Sequence, residues 1–492
     1  MQVGELLAAA RIVTPEMVRA ALERQTHAGG LLGENLVALG AIAQEELDRF
    51  LSRMPPVPTS IAETGLTEGD LLNLMLKFIQ VEGLDRVGTL AAALCLPHVV
   101  VSQLIQIALQ RGLIAAAGAS MGTAATANLA DVRYSLGEKG RAWALDALAQ
   151  SQYVGPAPVP LETYKSRVRL QRITAVAVSR DAIRSAFDGL VIPEAFVEQI
   201  GPAVNSGRAI LMYGPPGNGK TSIAMRLKRV FNDVVYIPHG VMIDGRVMRV
   251  FDQSLHKPVH ADESLAPPGI RRDVFDARWV ACERPFIVVG GELTLDQLDL
   301  RYDGVSNFYE APLHVKAFGG CLTIDDFGRQ AVRPEALLNR WIVPLESRID
   351  FLRLHTGKTF ELPFETLVIF STNLEPADLM DQAFLRRIPY KLEVPGPALP
   401  AFRRIFEAAA AKSGLPLTDE WFDYIVHELT VTRGVELANY HPGFLVDQIM
   451  AFCRFLHCPP RLEQKMVDFA IGNLCVKEST KPIQARTRAL AA

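Results

Sequence analysis

The 492-residue sequence lacks the features that mark membrane and secreted proteins. No apolar run approaches the roughly 18 residues needed to span a bilayer, so membrane insertion is not expected. Residues 1–5 lack the basic and apolar regions of a secretory signal. The six cysteines show no paired spacing, which predicts free thiols in a reducing compartment. We therefore expect a cytoplasmic protein.

The sequence also lacks an excess of charge of either sign. Its net charge of -3 and its pI of about 6.4 give no global reason to expect nucleic acid or an anionic membrane as partner. Cys453, His457 and Cys458 lie close together, but no second ligand pair accompanies them, and a packed helix face is favoured over a metal site. The length predicts two to four domains.

What the sequence does contain is a phosphate-binding loop. Residues 214–221 match G-x-x-x-x-G-K-[ST], follow an apolar run and precede a helical pattern. Glycines let backbone N–H groups converge on phosphate at a helix N-terminus. Lys220 would reach the β- and γ-phosphates of ATP, and the Thr221 hydroxyl would bind Mg²⁺. The predicted nucleotide-binding residues are Gly214, Pro215, Pro216, Gly217, Asn218, Gly219, Lys220, Thr221 and Ser222.

Polar residues follow two further apolar strands. Strand 321–324 ends in Asp325 and Asp326, and Asp325 would hold Mg²⁺ because hard cations prefer carboxylate oxygen. An acidic turn facing solvent is the alternative, which the preceding phosphate loop disfavours. Strand 367–372 ends at Asn373. An acid-x-Ala-x-x-Arg-Arg pattern then occupies 381–387.

These motifs, in this order, resemble those of the AAA+ ATPases over roughly residues 186–476. The resemblance implies an α/β fold, in which a parallel sheet flanked by helices is followed by a helical C-terminal lid. It implies that Asp326, where most relatives have glutamate, polarises the attacking water, and that Asn373 positions this water. It also implies that Arg386 and Arg387 act on a neighbouring subunit's ATP in a ring, most simply a hexamer. Solvent-facing arginines are the alternative.

Three further features concern the subgroup. Alternating residues around Gly357 predict a hairpin before the Asn373 strand, as in the pre-sensor hairpin clade that includes sigma-54-dependent activators. Tyr236, in a β-rich stretch over 234–316, lies where AAA+ rings place a substrate-gripping pore loop, although an ordinary strand end fits equally well. Gly443 lies where many lids carry a second sensor arginine. The arrangement is similar to predicted bacterial ATPases with suggested chaperone activity, linked to type IV pilus assembly.

The N-terminal segment contains an internal repeat of short helices, whose two copies begin at Gly4-Glu5 and Gly33-Glu34. It resembles the N-terminal domain of type II secretion and type IV pilus ATPases. Some of those bind cyclic di-GMP through an arginine that is replaced here by Gln2 and Leu31. A helical protein-docking module is therefore favoured.

Residues 61–150 resemble a winged helix domain. The pattern predicts helices over 68–81, 87–93 and 98–111, then a small-residue wing over 115–128. Arg111 is the one full positive charge of the predicted recognition helix, and acids outnumber bases in the domain. Because phosphate contacts supply most nucleic-acid affinity, we expect a protein partner rather than DNA.

The predicted domains are a helical repeat (1–54), a winged-helix-like domain (61–150), a linker (151–170), an AAA+ core (171–395) and a helical lid (396–480). The hypothesis is Mg²⁺-dependent ATP hydrolysis by a ring that remodels protein partners recruited through its N-terminal domains. Two alternatives are a DNA-acting AAA+ protein of the transcription-activator or replication type, and a scaffold whose assembly ATP controls.

Overall fold

The computed structural model describes residues 2–117, 132–260, 274–379 and 381–475. Most of the predicted wing and the tail from residue 476 onward lie outside these ranges. In the described ranges no helix alone has the length and apolar composition to cross a membrane. One pair, Val87–Leu94 with His98–Gln110, has them only when taken together, and it is bent by 115°.

The repeat predicted near the N-terminus forms two pairs of helices. They are α1 (Val3–Ala9), α2 (Pro15–Ala28), α3 (Leu32–Ala38) and α4 (Gln44–Arg53). The glutamate of each copy caps its own helix: Glu5 accepts from the Gln2 N–H at 2.8 Å, and Glu34 accepts from the Leu31 N–H at 2.9 Å. At Gly4, a Cβ atom would lie 2.8 Å from a side-chain carbon of the next helix. The shared Gly-Glu therefore serves close packing and capping.

The following segment contains the predicted helices and a small antiparallel ladder. Its elements are α5 (Glu68–Glu82), α6 (Val87–Leu94), α7 (His98–Gln110), β1 (Ile114–Ala117), β2 (Arg133–Leu136) and α8 (Glu138–Gln150). The helix boundaries differ from the predicted ones by one residue. Leucine, valine and isoleucine side chains of α5, α6 and α7 form a common buried core.

The rest of the chain alternates helices and strands before it becomes helical. The first part comprises β3 (Val159–Pro160), α9 (Leu161–Leu170), α10 (Arg180–Ala186), α11 (Glu194–Ser206), β4 (Ile210–Tyr213), α12 (Lys220–Arg226), β5 (Val234–Pro238), β6 (Gly240–Ile243), β7 (Arg246–Arg249) and β8 (Trp279–Glu283). Next come β9 (Phe286–Val289), β10 (Arg301–Asp303), β11 (Phe308–Glu310), α13 (Leu313–Lys316), β12 (Cys321–Ile324), α14 (Pro334–Arg340), α15 (Ile342–Ser347), β13 (Ile349–Arg353), β14 (Thr359–Pro363), β15 (Leu367–Ser371), α16 (Pro376–Leu379), α17 (Gln382–Leu385) and β16 (Tyr390–Glu393). The lid comprises α18 (Leu399–Lys412), α19 (Asp419–His427), α20 (His441–Phe455) and α21 (Gln464–Leu474).

A parallel sheet forms the centre of the segment predicted as the ATPase core, in the strand order β16-β4-β15-β12-β9. The strands β12 and β15 are buried along their whole length, as expected for a sheet with helices on both faces. One face packs on α10, α11 and α12, and the other on α14. This sheet confirms the predicted α/β fold class. Because its strands are parallel, their carboxyl ends meet at one edge, where ligands of such sheets bind.

The predicted β-rich stretch forms a second sheet, in the order β10-β11-β7-β6-β3, beside the pair β5-β8. We call the described residues within 234–284 and 301–310, which contain β5 to β8, β10 and β11, the insert. Strand β3 lies within the segment predicted as a linker, yet it pairs with β6. In the same segment Tyr153 and Ala157 are buried. Residues 151–160 are therefore packed against the insert instead of forming a free tether.

The C-terminal helices enclose a core of their own, as the helical pattern predicts. Cys453 contributes to it, and its Sγ lies 3.8 Å from the sulfur of Met466. In the described ranges no three His, Cys, Asp or Glu side chains form a group that could hold a metal. The thiol of Cys453 therefore belongs to the lid's packing.

Candidate active site

The predicted phosphate-binding residues form the turn between β4 and α12. Gly214, Gly217 and Gly219 have φ values of 134°, 79° and 88°, in the region that favours glycine. At Gly214 a Cβ atom would also lie 2.5 Å from the Val394 carbonyl oxygen. Helix α12 begins at Lys220, so its first N–H groups point into the loop. The chain therefore makes the anion cradle that the motif predicts.

The Lys220 ammonium is fixed beneath this loop by three hydrogen bonds. Its ammonium donates to the carbonyls of Gly214 at 2.8 Å and Pro215 at 2.9 Å, and to Asn373 Oδ1 at 2.6 Å. Burial lowers the pKa of Lys220, whereas the carboxylates of Asp325 and Asp326 raise it. A buried cation with neutral hydrogen-bond partners is suited to exchange them for phosphate oxygens.

The Mg²⁺-binding residues predicted from two distant motifs lie together. Thr221 Oγ1 donates to Asp325 Oδ2 at 2.7 Å. This contact arises because β4 and β12 flank β15 in the sheet, so α12 starts beside the end of β12. A hydroxyl and a carboxylate form the oxygen donor set that Mg²⁺ prefers. The residues therefore fit that ion, which would bind at Thr221 and Asp325.

Asn373 connects Asp326 to Lys220 through two hydrogen bonds. Asn373 Nδ2 donates to Asp326 Oδ1 at 3.2 Å, while Asn373 Oδ1 accepts from Lys220. Asp326 has a φ of 49°, a left-handed conformation that aspartate tolerates better than most residues. This turn leaves Asp326 exposed beyond the end of β12. Its carboxylate is thus free to receive a proton or orient a water molecule.

The structure distinguishes the two predicted finger arginines. Arg387 Nε lies 2.7 Å from Glu346 Oε1, Arg387 donates to the Ala383 carbonyl at 2.8 Å, and its side chain is 15% exposed. Arg386 is exposed, and within the described ranges it makes no ion pair. Neither arginine contacts its own phosphate loop there. Of the two, Arg386 is therefore the one whose side chain is exposed and makes no ion pair in the described ranges.

A contact between the lid and the phosphate loop could not be predicted from the sequence. The Asn439 N–H donates to Asn218 Oδ1 at 3.1 Å, and Asn439 Nδ2 donates to the Asn218 carbonyl at 3.0 Å. The Tyr440 N–H donates to the Gly217 carbonyl at 3.1 Å. A Cβ at Gly217 would lie 2.2 Å from the Tyr440 ring. No spacing rule relates residues so far apart in sequence.

Gly443, at the position where many lids carry a second sensor arginine, lies in the first turn of α20. A Cβ there would meet no atom within 4 Å. In this chain the lid thus contacts the loop through Asn439 and Tyr440.

The pore-loop interpretation of Tyr236 is wrong. Tyr236 lies in the middle of β5, pairs with Ala281 of β8 and is 1% exposed. Its ring packs edge-on against Phe275, with 5.0 Å between the ring centres. The Gln171 side chain donates to the Tyr236 carbonyl at 3.2 Å and accepts from the Tyr236 N–H at 2.6 Å. A buried strand residue cannot grip a substrate. The strand continues through the tyrosine instead of ending there.

Comparisons with known proteins find relatives over part of the chain. A family described as a domain of unknown function, DUF8689, matches residues 399–473, which lie in the lid. A vesicle-fusing ATPase of Dictyostelium discoideum is 43% identical over 202 residues, 36% of this chain and 25% of that protein. The proteasome-activating nucleotidase of Archaeoglobus fulgidus is 28% identical over 237 residues, 44% of this chain and 54% of that protein. The chain thus spans from a quarter to about half of these curated relatives.

Among solved structures, the Holliday junction branch migration motor RuvB of Thermotoga maritima is similar, with 15% identity and a TM-score of 0.32. That match covers 60% of this chain and 70% of RuvB. The phosphate loop on a parallel sheet defines a P-loop nucleotide-binding fold. Together with the sequence matches to ATPases, the ordered motifs make this part of the chain similar to the ATPase domains of the AAA+ class.

Proposed function

We propose that the protein hydrolyses ATP in a Mg²⁺-dependent reaction. The observation that carries the proposal is the cluster of hydrogen-bonded side chains at the ends of β4, β15 and β12, in which Lys220, Asn373 and Asp326 form one group and Thr221 and Asp325 a second. It contains the predicted cation (Lys220), the predicted metal ligands (Thr221 and Asp325) and the polar pair beyond them (Asp326 and Asn373). A chance meeting of these groups would not arrange them around a phosphate cradle.

Each residue has a role that follows from its position. Loop N–H groups and Lys220 bind the phosphates, and Thr221 and Asp325 hold Mg²⁺, which when bound offsets phosphate charge. Asn373 exchanges its bond from Lys220 for a bond to the attacking water. Asp326, its partner at 3.2 Å, orients this water and accepts its proton.

The functional unit proposed is a ring, most simply a hexamer. Arg386 has no partner in the described part of its own subunit, and it would stabilise charge developing on a neighbour's γ-phosphate. Arg387 instead fixes the segment around α17 through Glu346. The trans role is thus assigned to Arg386 alone.

We further propose that the ring acts on protein partners in the cytoplasm. Arg111, the one full positive charge of the predicted recognition helix, is paired with Glu68. Arg133 and Arg86 similarly lie 3.6 Å and 3.9 Å from Asp85. Cations already paired with acids offer little to DNA phosphates. One sequence relative, a proteasome-activating nucleotidase, is named for a protein partner, which supports the same class of partner here.

The test is the ATPase rate of the full chain with an unfolded polypeptide, duplex DNA or single-stranded DNA added. We expect stimulation by polypeptide and none by DNA, with no activity in Lys220→Ala. Stimulation by DNA that falls steeply with salt would replace the protein-remodelling function by a DNA-acting one. ATP-dependent assembly without stimulation by either polymer would favour a scaffold.

A further inference from the structure

A cavity of about 390 Å³ lies between the winged-helix-like domain and the insert, away from the phosphate loop. Helices α5 and α8 form one wall, and the turn between β6 and β7 forms the other. Nothing in the proposed ATPase mechanism uses it. Its lining residues are Asp70, Asn73, Leu74, Lys77, Ala147, Gln150, Ser151, Tyr153, Met242, Gly245, Arg246 and Val247.

Lys77 is the unusual member of this lining. The residue is 4% exposed, and its ammonium has one short hydrogen bond, 2.6 Å to the Ser151 carbonyl, and a longer one, 3.4 Å to the Tyr153 carbonyl. In the described part of the chain no carboxylate pairs with it. Lysine is rarely buried to this degree without an acid, because taking the charge out of water is costly. Burial lowers the pKa of Lys77 to about 8.

A second cation lies on the opposite wall. Arg246 donates to the carbonyls of Gln150 and, at 3.4 Å, Asn307, and among the described residues it has no carboxylate partner. The acid of the lining, Asp70, sits one and a half to two helical turns before Lys77 on α5 and already accepts from the Thr67 hydroxyl at 2.6 Å. The cavity therefore holds two cations that lack a carboxylate partner.

We propose that this cavity is a binding site for a small organic anion, bound through Lys77 and Arg246. The chemical class is a carboxylate or phosphate monoester with an apolar body. The charged group would supply the missing counter-ion, and the apolar body would contact Leu74, Met242 and Val247. Asn73 is a further donor. Its Oδ1 already accepts from Trp143 Nε1 at 2.6 Å, so its amide nitrogen is the group that can donate to the anion.

The site is placed to influence ATP turnover, an extension that rests on the proposed ATPase function. Arg246 follows the β6–β7 turn, in which Asp244 pairs with Lys358 at 2.6 Å. Lys358 lies in the tip of the β13–β14 hairpin, and β15, which leads to Asn373, follows that hairpin. A ligand that orders the turn would therefore act on the hairpin beside the catalytic strand.

The binding test uses benzoate with the full chain, because benzoate has one carboxylate and one apolar ring. Benzyl alcohol, with the same ring and no charge, is the chemical control, and sodium chloride keeps ionic strength constant. Calorimetry and the melting temperature are the measurements. We expect benzoate to bind and stabilise the wild type, and Lys77→Met to bind it about tenfold more weakly or worse. Lys139→Met, an exposed lysine of α8, is the matched variant and should bind normally.

Two further variants locate the bound anion and guard against a folding defect. Lys220→Ala should keep benzoate binding, which separates this site from the phosphate loop, and inorganic phosphate in that background distinguishes phosphate from carboxylate preference. If Lys77→Met does not fold, Arg246→Gln replaces it in the comparison. A purely structural Lys77 would make Lys77→Met less stable without any anion. Equal binding of both anions to wild type and variant would overturn the proposal.

The coupling is tested separately by the ATPase rate with and without benzoate. We expect at least about a twofold change in the wild type and none in Lys77→Met. Binding without any change in rate would contradict the coupling while the site stands. Binding to a chain without ATPase activity would instead count against the proposed function.

Discussion

The central parallel sheet and the insert both contain buried strands but use their charges differently. At the ends of β4 and β12, the charged groups of Lys220, Asp325 and Asp326 bond to neutral partners, namely loop carbonyls, the Asn373 amide and the Thr221 hydroxyl. In the insert, Asp276 and Arg278 are each 3% exposed and form an ion pair of 2.8 Å. The first arrangement can exchange partners for a ligand, whereas the second is fixed by its own partners.

The fixed pairs explain how the N-terminal segments are held. Arg278 also donates to the carbonyls of Thr64 at 2.8 Å and Pro158 at 3.3 Å. Asp233 joins Arg284 of the insert to Arg53 of α4. The hydrogen-bond and ion-pair partners of a charged residue, more than its type, therefore indicate whether it binds a ligand or stabilises the fold.

The largest effect should come from the one finger arginine that has no such partner in the described ranges. Arg386→Ala should lower turnover by about 10³-fold or more, because it removes a charge that stabilises the neighbour's transition state. Arg387→Ala should instead lower the melting temperature, since Arg387 contacts Glu346 and Ala383. The ATPase rate and a thermal melt of both variants make the measurement.

Mixed subunits provide the control for that prediction. Arg386→Ala combined with Lys220→Ala should recover activity at interfaces that join an intact loop to an intact arginine. Full turnover of Arg386→Ala by itself would contradict the assignment.

The next effect concerns the proton acceptor at the parallel sheet. Asp326→Asn should reduce hydrolysis by about 10²-fold or more yet retain ATP, because an amide keeps the bond to Asn373 but accepts no proton. Retention of radiolabelled ATP beside the hydrolysis rate makes the measurement, with Lys220→Ala as the variant that retains none. Wild-type hydrolysis by Asp326→Asn would remove Asp326 from the mechanism.

This contrast also explains what the sequence could predict. The phosphate loop, Asp325, Asp326 and Asn373 each follow an apolar strand directly, and parallel strands bring their ends together. Thus local patterns were sufficient for the fold class and this cluster. The roles of Arg278 and Asn439 could not be predicted, because their partners lie in distant segments and no local pattern pairs them. The burial of Tyr236 could not be predicted for the same reason, since its partner strand β8 is distant in sequence.

The buried ion pair of Asp276 and Arg278 in the insert should contribute to the stability of the protein and not to its affinity for nucleotide. Asp276→Ala leaves Arg278 charged and buried, so the free energy of unfolding should fall by about 3–5 kcal/mol. Denaturant unfolding and the affinity for a fluorescent ATP analogue in the folded protein are the measurements. Glu198→Ala, which breaks an exposed pair with Arg180, is the control and should change stability far less. A large loss of nucleotide affinity in folded Asp276→Ala would contradict the claim that this ion pair only stabilises the fold.

The contact between lid and loop lies between these extremes. Asn439→Ala removes the bond to the Asn218 carbonyl and should raise KM for ATP about threefold to tenfold, with kcat little changed. Asn473→Ala, at an exposed lid asparagine, is the matched control. A loss confined to kcat would mean that the contact serves the chemical step and not nucleotide binding.

The smallest expected effect is that of Tyr236→Phe, which tests whether the insert grips substrate or only packs. The Tyr236 hydroxyl is buried and, among the described residues, has no hydrogen-bond partner. Its removal should therefore leave stability within about 0.5 kcal/mol of wild type, or slightly higher. Tyr236→Ala should cost about 3–5 kcal/mol, because it empties the space beside Phe275. If Tyr236 gripped a polypeptide, the alanine variant would lose polypeptide-stimulated ATPase while melting at the wild-type temperature. We expect instead that the two variants differ in melting temperature, and that the phenylalanine variant keeps full stimulation, because the ring packs in the insert and never meets the substrate.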